Sequence, residues 1–288
     1  MGSSSNWREK PDQEKFKLEG TMTRAKADIQ ASSSNPQAWL IMEGHLFDTK
    51  VVELVKSQFH EPLVFGGFVG PGLVGLVSAG YIIEKLNLHE IAHVQSQHIP
   101  PVAVFVGAKL RHPFRIYSNK DGKVILMLCE MPIDIEGLYE ISSALLDWFE
   151  SIRAKEIIIL DGVGVAGMPQ ERQAYCVAGE KKCKELQAKG LSLMGSALIS
   201  GIGGSILNQC LTRKINGVSL LSEASVDFPD PGASLALINA INAVYGLGIE
   251  TEELKESVER LNKELSALAE QYQKMQQGAA GERHQLYG

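Results

Sequence analysis

From Ala38 onward, two spacings of apolar residues alternate along the chain. Short runs rich in β-branched and aromatic side chains occur at Trp39–Met42, Leu63–Phe65, Val102–Val106, Phe114–Tyr117, Val124–Cys129, Ile157–Leu160, Ala174–Val177 and Val218–Leu221, and they predict strands. Between them the spacing turns helical over Lys50–Phe59, Gly72–Leu86, Ile135–Ser151, Glu180–Lys189, Ser205–Lys214 and Ala233–Tyr245. Ile157-Ile158-Ile159-Leu160 is continuously apolar between Glu156 and Asp161. A strand of that kind is buried on both faces of a parallel sheet. Helices must then cover both sides, which predicts a layered α/β domain. No internal repeat or long linker divides residues 36–248, so they read as one core domain.

Leu63 to Ile83 carries no formal charge and is long enough to raise the question of a membrane span. Its interior argues against one. Gly66, Gly67, Gly70, Pro71, Gly72 and Gly75 read as a loop, so the segment divides into a buried strand over Pro62–Phe65, a turn, and a helix over Gly72–Leu86.

The C-terminal pattern differs in kind. Thr251 suits an N-cap, with Glu252 and Glu253 in the first turn where the helix dipole favours anions. Leu254, Val258, Leu261, Leu265, Leu268, Tyr272 and Met275 then follow at spacings alternating between four and three, a heptad seam. The helix expected over 249–277 would be roughly 37 Å long from Glu252 to Gln276. Its seam suits either packing on the chain's own domain or self-association. Residues 278–288 read as a flexible tail ending in Leu286-Tyr287-Gly288. That triplet offers an apolar plug, a phenol ring and a terminal carboxylate, a group that cationic and backbone pockets capture.

Composition adds limits. Residues 1–35 are rich in Ser, Lys, Glu, Gln and Asp, and cannot bury enough surface to offset their ordering entropy. The net charge of -6, with no basic block, argues against a nucleic-acid partner. Cys129, Cys176, Cys183 and Cys210 are scattered without a CxxC pair, which fits a reducing cytoplasm better than a disulfide framework or a zinc ribbon.

Candidate chemistry is thin. His89-Glu90-Ile91-Ala92-His93 matches the HExxH zinc pattern, which needs a helix to bring both histidines to one metal. The segment follows the expected helix end at Asn87 and looks extended. Residues four apart in a strand are about 13 Å from each other, beyond a shared metal. Gly201-Ile202-Gly203-Gly204-Ser205 could cradle a phosphate at a helix start, but it lacks the Gly-Lys-Ser/Thr ending of a P-loop. Asp161 stands at the C-terminal end of a buried strand, where α/β enzymes place ligands. Glu130 and Asp134 flank the start of the helix at Ile135, and His45, His60 and His112 have no readable partner. No catalytic residue, metal or cofactor is expected. The alternative is a small-molecule enzyme with a nucleotide or phosphate pocket near Asp161 and Gly201–Ser205.

Several segments together resemble the proteasome assembly chaperone family in its archaeal branch. They are Phe65-Gly66-Gly67-Phe68-Val69-Gly70-Pro71-Gly72-Leu73-Val74-Gly75, Ile99-Pro100-Pro101-Val102, Arg115-Ile116-Tyr117, Ile157 to Gly162, and Phe228-Pro229-Asp230-Pro231-Gly232-Ala233. Departures are the polar N-terminal extension and the histidines from His89 to His98, where the family usually carries acidic residues. The resemblance implies a three-layer αβα domain like that of nucleoside phosphorylases. Some members were labelled ATP-grasp enzymes by analogy, which does not establish chemistry. It also implies a homo-oligomer, tetramer or pentamer, using the helix seam Leu254, Val258, Leu261, Leu265, Leu268 and Tyr272. One subgroup ends in a hydrophobic–Tyr–any tail, and Leu286, Tyr287 and Gly288 fill those positions. The implied partner is the α-ring of the proteasome core particle, with the tail seated between α-subunits and the Gly288 carboxylate paired with a lysine. The implied role is that of an assembly chaperone or ATP-independent activator, without enzymatic activity, nucleic acid or membrane.

Overall fold

The computed structural model describes residues 48–167, 169, 171–260 and 263. The described residues from Thr49 onward belong to one compact unit. The expected polar extension and the strand over Trp39–Met42 lie outside the described residues, as does the C-terminal tail.

Among the described residues, a nine-stranded sheet forms the middle layer. Its strands are β1 (Lys50–Glu53), β2 (Leu63–Phe68), β3 (His89–Gln95), β6 (Phe114–Ser118), β7 (Val124–Cys129), β8 (Glu156–Val165), β9 (Ala174–Ala178), β10 (Ser192–Leu193) and β11 (Gly217–Ser225). Their spatial order is β1-β3-β6-β7-β2-β8-β11-β9-β10. The central strands β7, β2, β8 and β11 run parallel, and β3 and β6 run antiparallel to their neighbours. β4 (Val104–Val106) and β5 (Lys109–Arg111) form a separate hairpin.

The central strands alternate residue by residue between two cores. Ile158 and Leu160 of β8 join one core with Phe65, Leu126 and Leu220, and Ile157 and Ile159 join the other with Val64, Ile125 and Met127. The first core is closed by α1 (Val74–Lys85), α3 (Glu180–Ala188) and α5 (Pro231–Tyr245). The second is closed by α2 (Leu138–Ser151) and α4 (Gly201–Arg213). This is the three-layer αβα arrangement the family resemblance implies, and it bears out the layered α/β domain read from the spacing. Each fully buried Ile or Phe contributes about 1.5–3 kcal/mol of transfer free energy.

Three predicted elements are corrected. Lys50–Phe59 is not a helix: Lys50–Glu53 is an edge strand antiparallel to β3. Val51 and Val52 suit a half-buried strand, the free edge of β3 supplies a partner, and the backbone N–H of Leu54 continues the contact by donating to the Ile91 carbonyl at 2.8 Å. Strand β2 does not stop at Phe65 but runs through Gly66 and Gly67 to Phe68. Those glycines serve close packing rather than a turn. A Cβ on Gly67 would strike the Gly75 carbonyl of α1, and one on Gly75 would lie 2.6 Å from the Leu160 carbonyl. Helix α4 begins at Gly201, four residues before the predicted Ser205. No helix among the described residues is long and apolar enough to cross a membrane.

Candidate functional site

After β2 the chain crosses to β3 on one side of the sheet, beyond β7 and β6, and after β8 it crosses to β9 on the other, beyond β11. The β2–β8 border is therefore the switch point, and ligands of open α/β sheets bind at the carboxyl ends of strands there. β2 leaves the sheet through Val69 and Gly70 into a 3-10 turn at Pro71–Leu73, which leads into α1.

Asp161 lies at this border, one residue beyond Leu160, the last residue of β8 paired with β2. The strand itself continues to Val165 along β11. The Asp161 carboxylate presses on the backbone of Gly70, where a Cβ would collide with its Oδ1. The Gly162 amide donates to Oδ1 at 2.8 Å. Burial pushes the Asp161 pKa up to about 6, and the amide hydrogen bond offsets this only in part. Val69, Leu73, Val226 and Phe228 are exposed in the segments leaving β2 and β11. Among the described residues, the strand-end carboxylate thus has a single neutral donor and no charged partner.

Asp230 anchors the same edge differently. It is fully buried and caps α5, accepting from the Ala233 N–H at 3.1 Å, with Pro231 in the first turn. Arg172 Nε donates to its Oδ1 at 2.7 Å. Its own N–H donates to the Gly72 carbonyl at 2.8 Å, which ties α5 to the turn before α1. Gly72 has φ +60, and its missing Cβ leaves room for Ala224 and Asp230. The sequence marks Asp230-Pro231-Gly232 only as part of the family resemblance, and it gives no sign of the partner Arg172.

The glycines at Gly201–Gly204 sit in the first turn of α4 rather than in a loop. A Cβ on Gly203 would lie 2.9 Å from Ile159 Cγ2, and one on Gly204 would strike the Ile199 carbonyl. Both glycines serve close packing, Gly203 against β8 and Gly204 against the turn before the helix. His89–His93 is strand β3, as the extended reading requires, and no group of three or more His, Cys, Asp or Glu among the described residues is placed to hold a metal. His112 does have a partner: its ring stacks on His93 with centroids 3.7 Å apart. Glu130 pairs with the buried Arg115 at 2.9 Å, and the Asp134 carbonyl accepts from the Gly137 N–H at the start of the 3-10 turn before α2. Cys129 and Cys210 are buried thiols whose pKa values burial raises to about 11 and about 12, so they are inert.

Of the seam residues, Leu254 is buried in the core closed by α1 and α5, and Val258 is half-buried on the helical stretch 252–260. Lys85 of α1 pairs with Glu253 at 2.6 Å, and the Tyr81 hydroxyl donates to the Glu250 carbonyl at 2.9 Å. Leu261, Leu265, Leu268 and Tyr272 lie outside the described residues, as do Leu286, Tyr287 and Gly288.

Solved structures share this arrangement. A protein of unknown function from Thermoplasma acidophilum is similar with a TM-score of 0.65 and 46% identity, over 76% of this chain and 90% of that one. Pyrococcus furiosus PbaA, described as an archaeal homolog of proteasome-assembly chaperone, gives a TM-score of 0.70 at 22% identity, over 83% of this chain and 100% of that one. PbaB of the same organism, described as an archaeal proteasome activator, gives 0.69 at 21% identity, over 77% and 99%. At those two identities the likeness is one of fold. The model of the PAC2 family matches residues 64–269, from β2 into the segment after α5. That match covers most of the chain, which belongs to the PAC2 family.

Proposed function

We propose that this protein is a non-enzymatic proteasome assembly chaperone or ATP-independent activator, acting in the cytoplasm. Its homo-oligomer, a tetramer or pentamer, presents several Leu286-Tyr287-Gly288 tails to the α-subunits of the core particle. The observation that carries this reading is membership of the PAC2 family, together with a fold shared with PbaA and PbaB. Leu254 packs into its own domain, so the seam available for self-association begins at Val258 and continues through Leu261, Leu265, Leu268 and Tyr272. Tyr287 and Leu286 fill an inter-subunit pocket, and the Gly288 carboxylate meets a cation there. Each tail binds weakly, and tethering several to one oligomer raises the effective concentration of the next.

A pull-down with the core particle tests this directly. The full chain retains the particle, and a chain lacking Leu286–Gly288 does not, although both sediment as the same oligomer. Equal retention by both chains removes the tail's role, and no retention by either removes the partner.

A second reading rests on Asp161, whose raised pKa at the switch point suits a small-molecule site of ATP-grasp or phosphorylase type. It requires a nucleotide to raise the melting temperature, and a panel of nucleotides without effect dismisses it.

A further inference from the structure

At the other end of the sheet, the β4–β5 hairpin is held by a cluster of titratable groups that none of the above uses. Its turn has two consecutive positive-φ residues, Gly107 and Ala108, the geometry of a tight type I′ connection. Phe105 and Leu110 face each other across it, 73% and 67% exposed, so apolar burial contributes little to holding it. What holds it is polar. Arg111, the last residue of β5, pairs with Glu90 of β3. Arg115 Nη1 of β6 donates to the His112 carbonyl at 2.7 Å. The His112 ring lies flat on His93 of β3, with an interplanar angle of 2°. His93 is only 9% exposed, and its Nδ1 is buried without a hydrogen-bond partner.

This seat tolerates neutral imidazoles and opposes charged ones. Two imidazolium rings stacked in parallel at 3.7 Å repel each other. A proton on His93 Nδ1 would be a buried donor with no acceptor, a cost of about 1–3 kcal/mol. The surrounding groups compensate only in part: burial and His112 outweigh the opposing charge of Glu90. Glu90, on the same strand, is engaged by Arg111, and Glu130, next to β6, is engaged by Arg115. Tyr117 accepts from Arg115 Nε at 2.7 Å, and the β1 residue opposite His93 is Val52. Each arginine beside the stack is thus matched by a glutamate, and no further carboxylate among these groups is left to favour an imidazolium.

We infer that the β4–β5 hairpin is a pH-released strap, held against β3 and β6 while His93 is neutral and lifted when the buried His93 ring takes a proton against the stacked ring of His112. Burial and the neighbouring His112 hold the His93 pKa below the ordinary imidazole value. A released imidazole titrates near pH 6.5, so the released form binds more protons below that pH. Seating is therefore complete at pH 7.5 and is lost as pH falls through the ordinary imidazole range. Release breaks the Arg111–Glu90 pair and parts the His112 ring from His93.

Hydrogen exchange of the full chain, corrected for intrinsic rates, reads the strap at residues 104–111. Between pH 7.5 and 5.0, protection there falls about tenfold for each pH unit by which burial and the His112 ring depress the His93 pKa. The double variant His93→Phe, His112→Phe keeps a ring stack without a titratable group and loses this dependence. Equal pH dependence in the two chains, or protection that rises on acidification, overturns the inference. Should the double variant misfold, the ring-proton NMR titration of His93 in the unaltered protein decides: an imidazole titrating at the ordinary value overturns it, and a depressed one supports it.

Discussion

Asp161 and Asp230 stand at the same edge of the sheet and have opposite surroundings. Asp230 is the more deeply buried, yet its carboxylate is fully employed by a helix N-terminus and a guanidinium. Asp161 keeps some exposure and has one backbone donor beside a glycine. Depth alone therefore does not decide what a buried acid does. A carboxylate matched by donors holds structure together, whereas an unmatched one at a strand end stores an electrostatic cost that a ligand could relieve.

Three substitutions test the contrast, in descending order of effect. Asp230→Ala leaves Arg172 without its partner and uncaps α5, and it should cost about 3–5 kcal/mol in urea denaturation. A loss under 1 kcal/mol would reduce the pair to a surface ornament. Gly72→Ala combines a left-handed φ with a Cβ 2.7 Å from that of Ala224. It should cost about 1–3 kcal/mol through strain and overpacking. Asp161→Asn should act in the other direction. The folded-state pKa, about 6, lies above the ordinary 3.8, so ionisation above pH 6 weakens the fold, and stability from this group is full only below the ordinary value. The amide should therefore stabilise by about 1–2 kcal/mol at pH 7.5, a gain that fades as pH falls toward 4. A destabilised Asn variant at pH 7.5 would place Asp161 with Asp230 as a structural acid.

The two acids also show which features local pattern could reveal. Asp161 was marked by the continuous Ile157–Leu160 run before it, because a strand buried on both faces leaves no polar residue until it emerges. Asp230 stands out in the sequence only through the family resemblance of its segment, although Asp-Pro before a helical stretch is a cap signal written in adjacent residues. Arg172 and the His93–His112 stack were invisible because their contacts join separate elements that only the folded sheet brings together. Lys50–Glu53 was misread because its two valines fit either spacing, and the open edge of β3 settled the matter. Gly66 and Gly67 were misread because glycine signals both turns and close packing, and only the position of α1 distinguishes them. The family resemblance reached the fold because its segments cluster where the backbone is most constrained, at the glycine contacts and the Asp230 cap.

The place of β2 bears on how the chain is made. Leu63 pairs with Val124 on one side and with Glu156 on the other. During synthesis the strand at the centre of the sheet has no neighbour until β7 emerges, and its second edge stays bare until β8 follows. Pairings so distant in sequence fold slowly and leave strand edges open to other nascent chains. The stretch from Leu63 to Phe68, among the most apolar in the protein, is therefore where a ribosome-bound intermediate would need shielding.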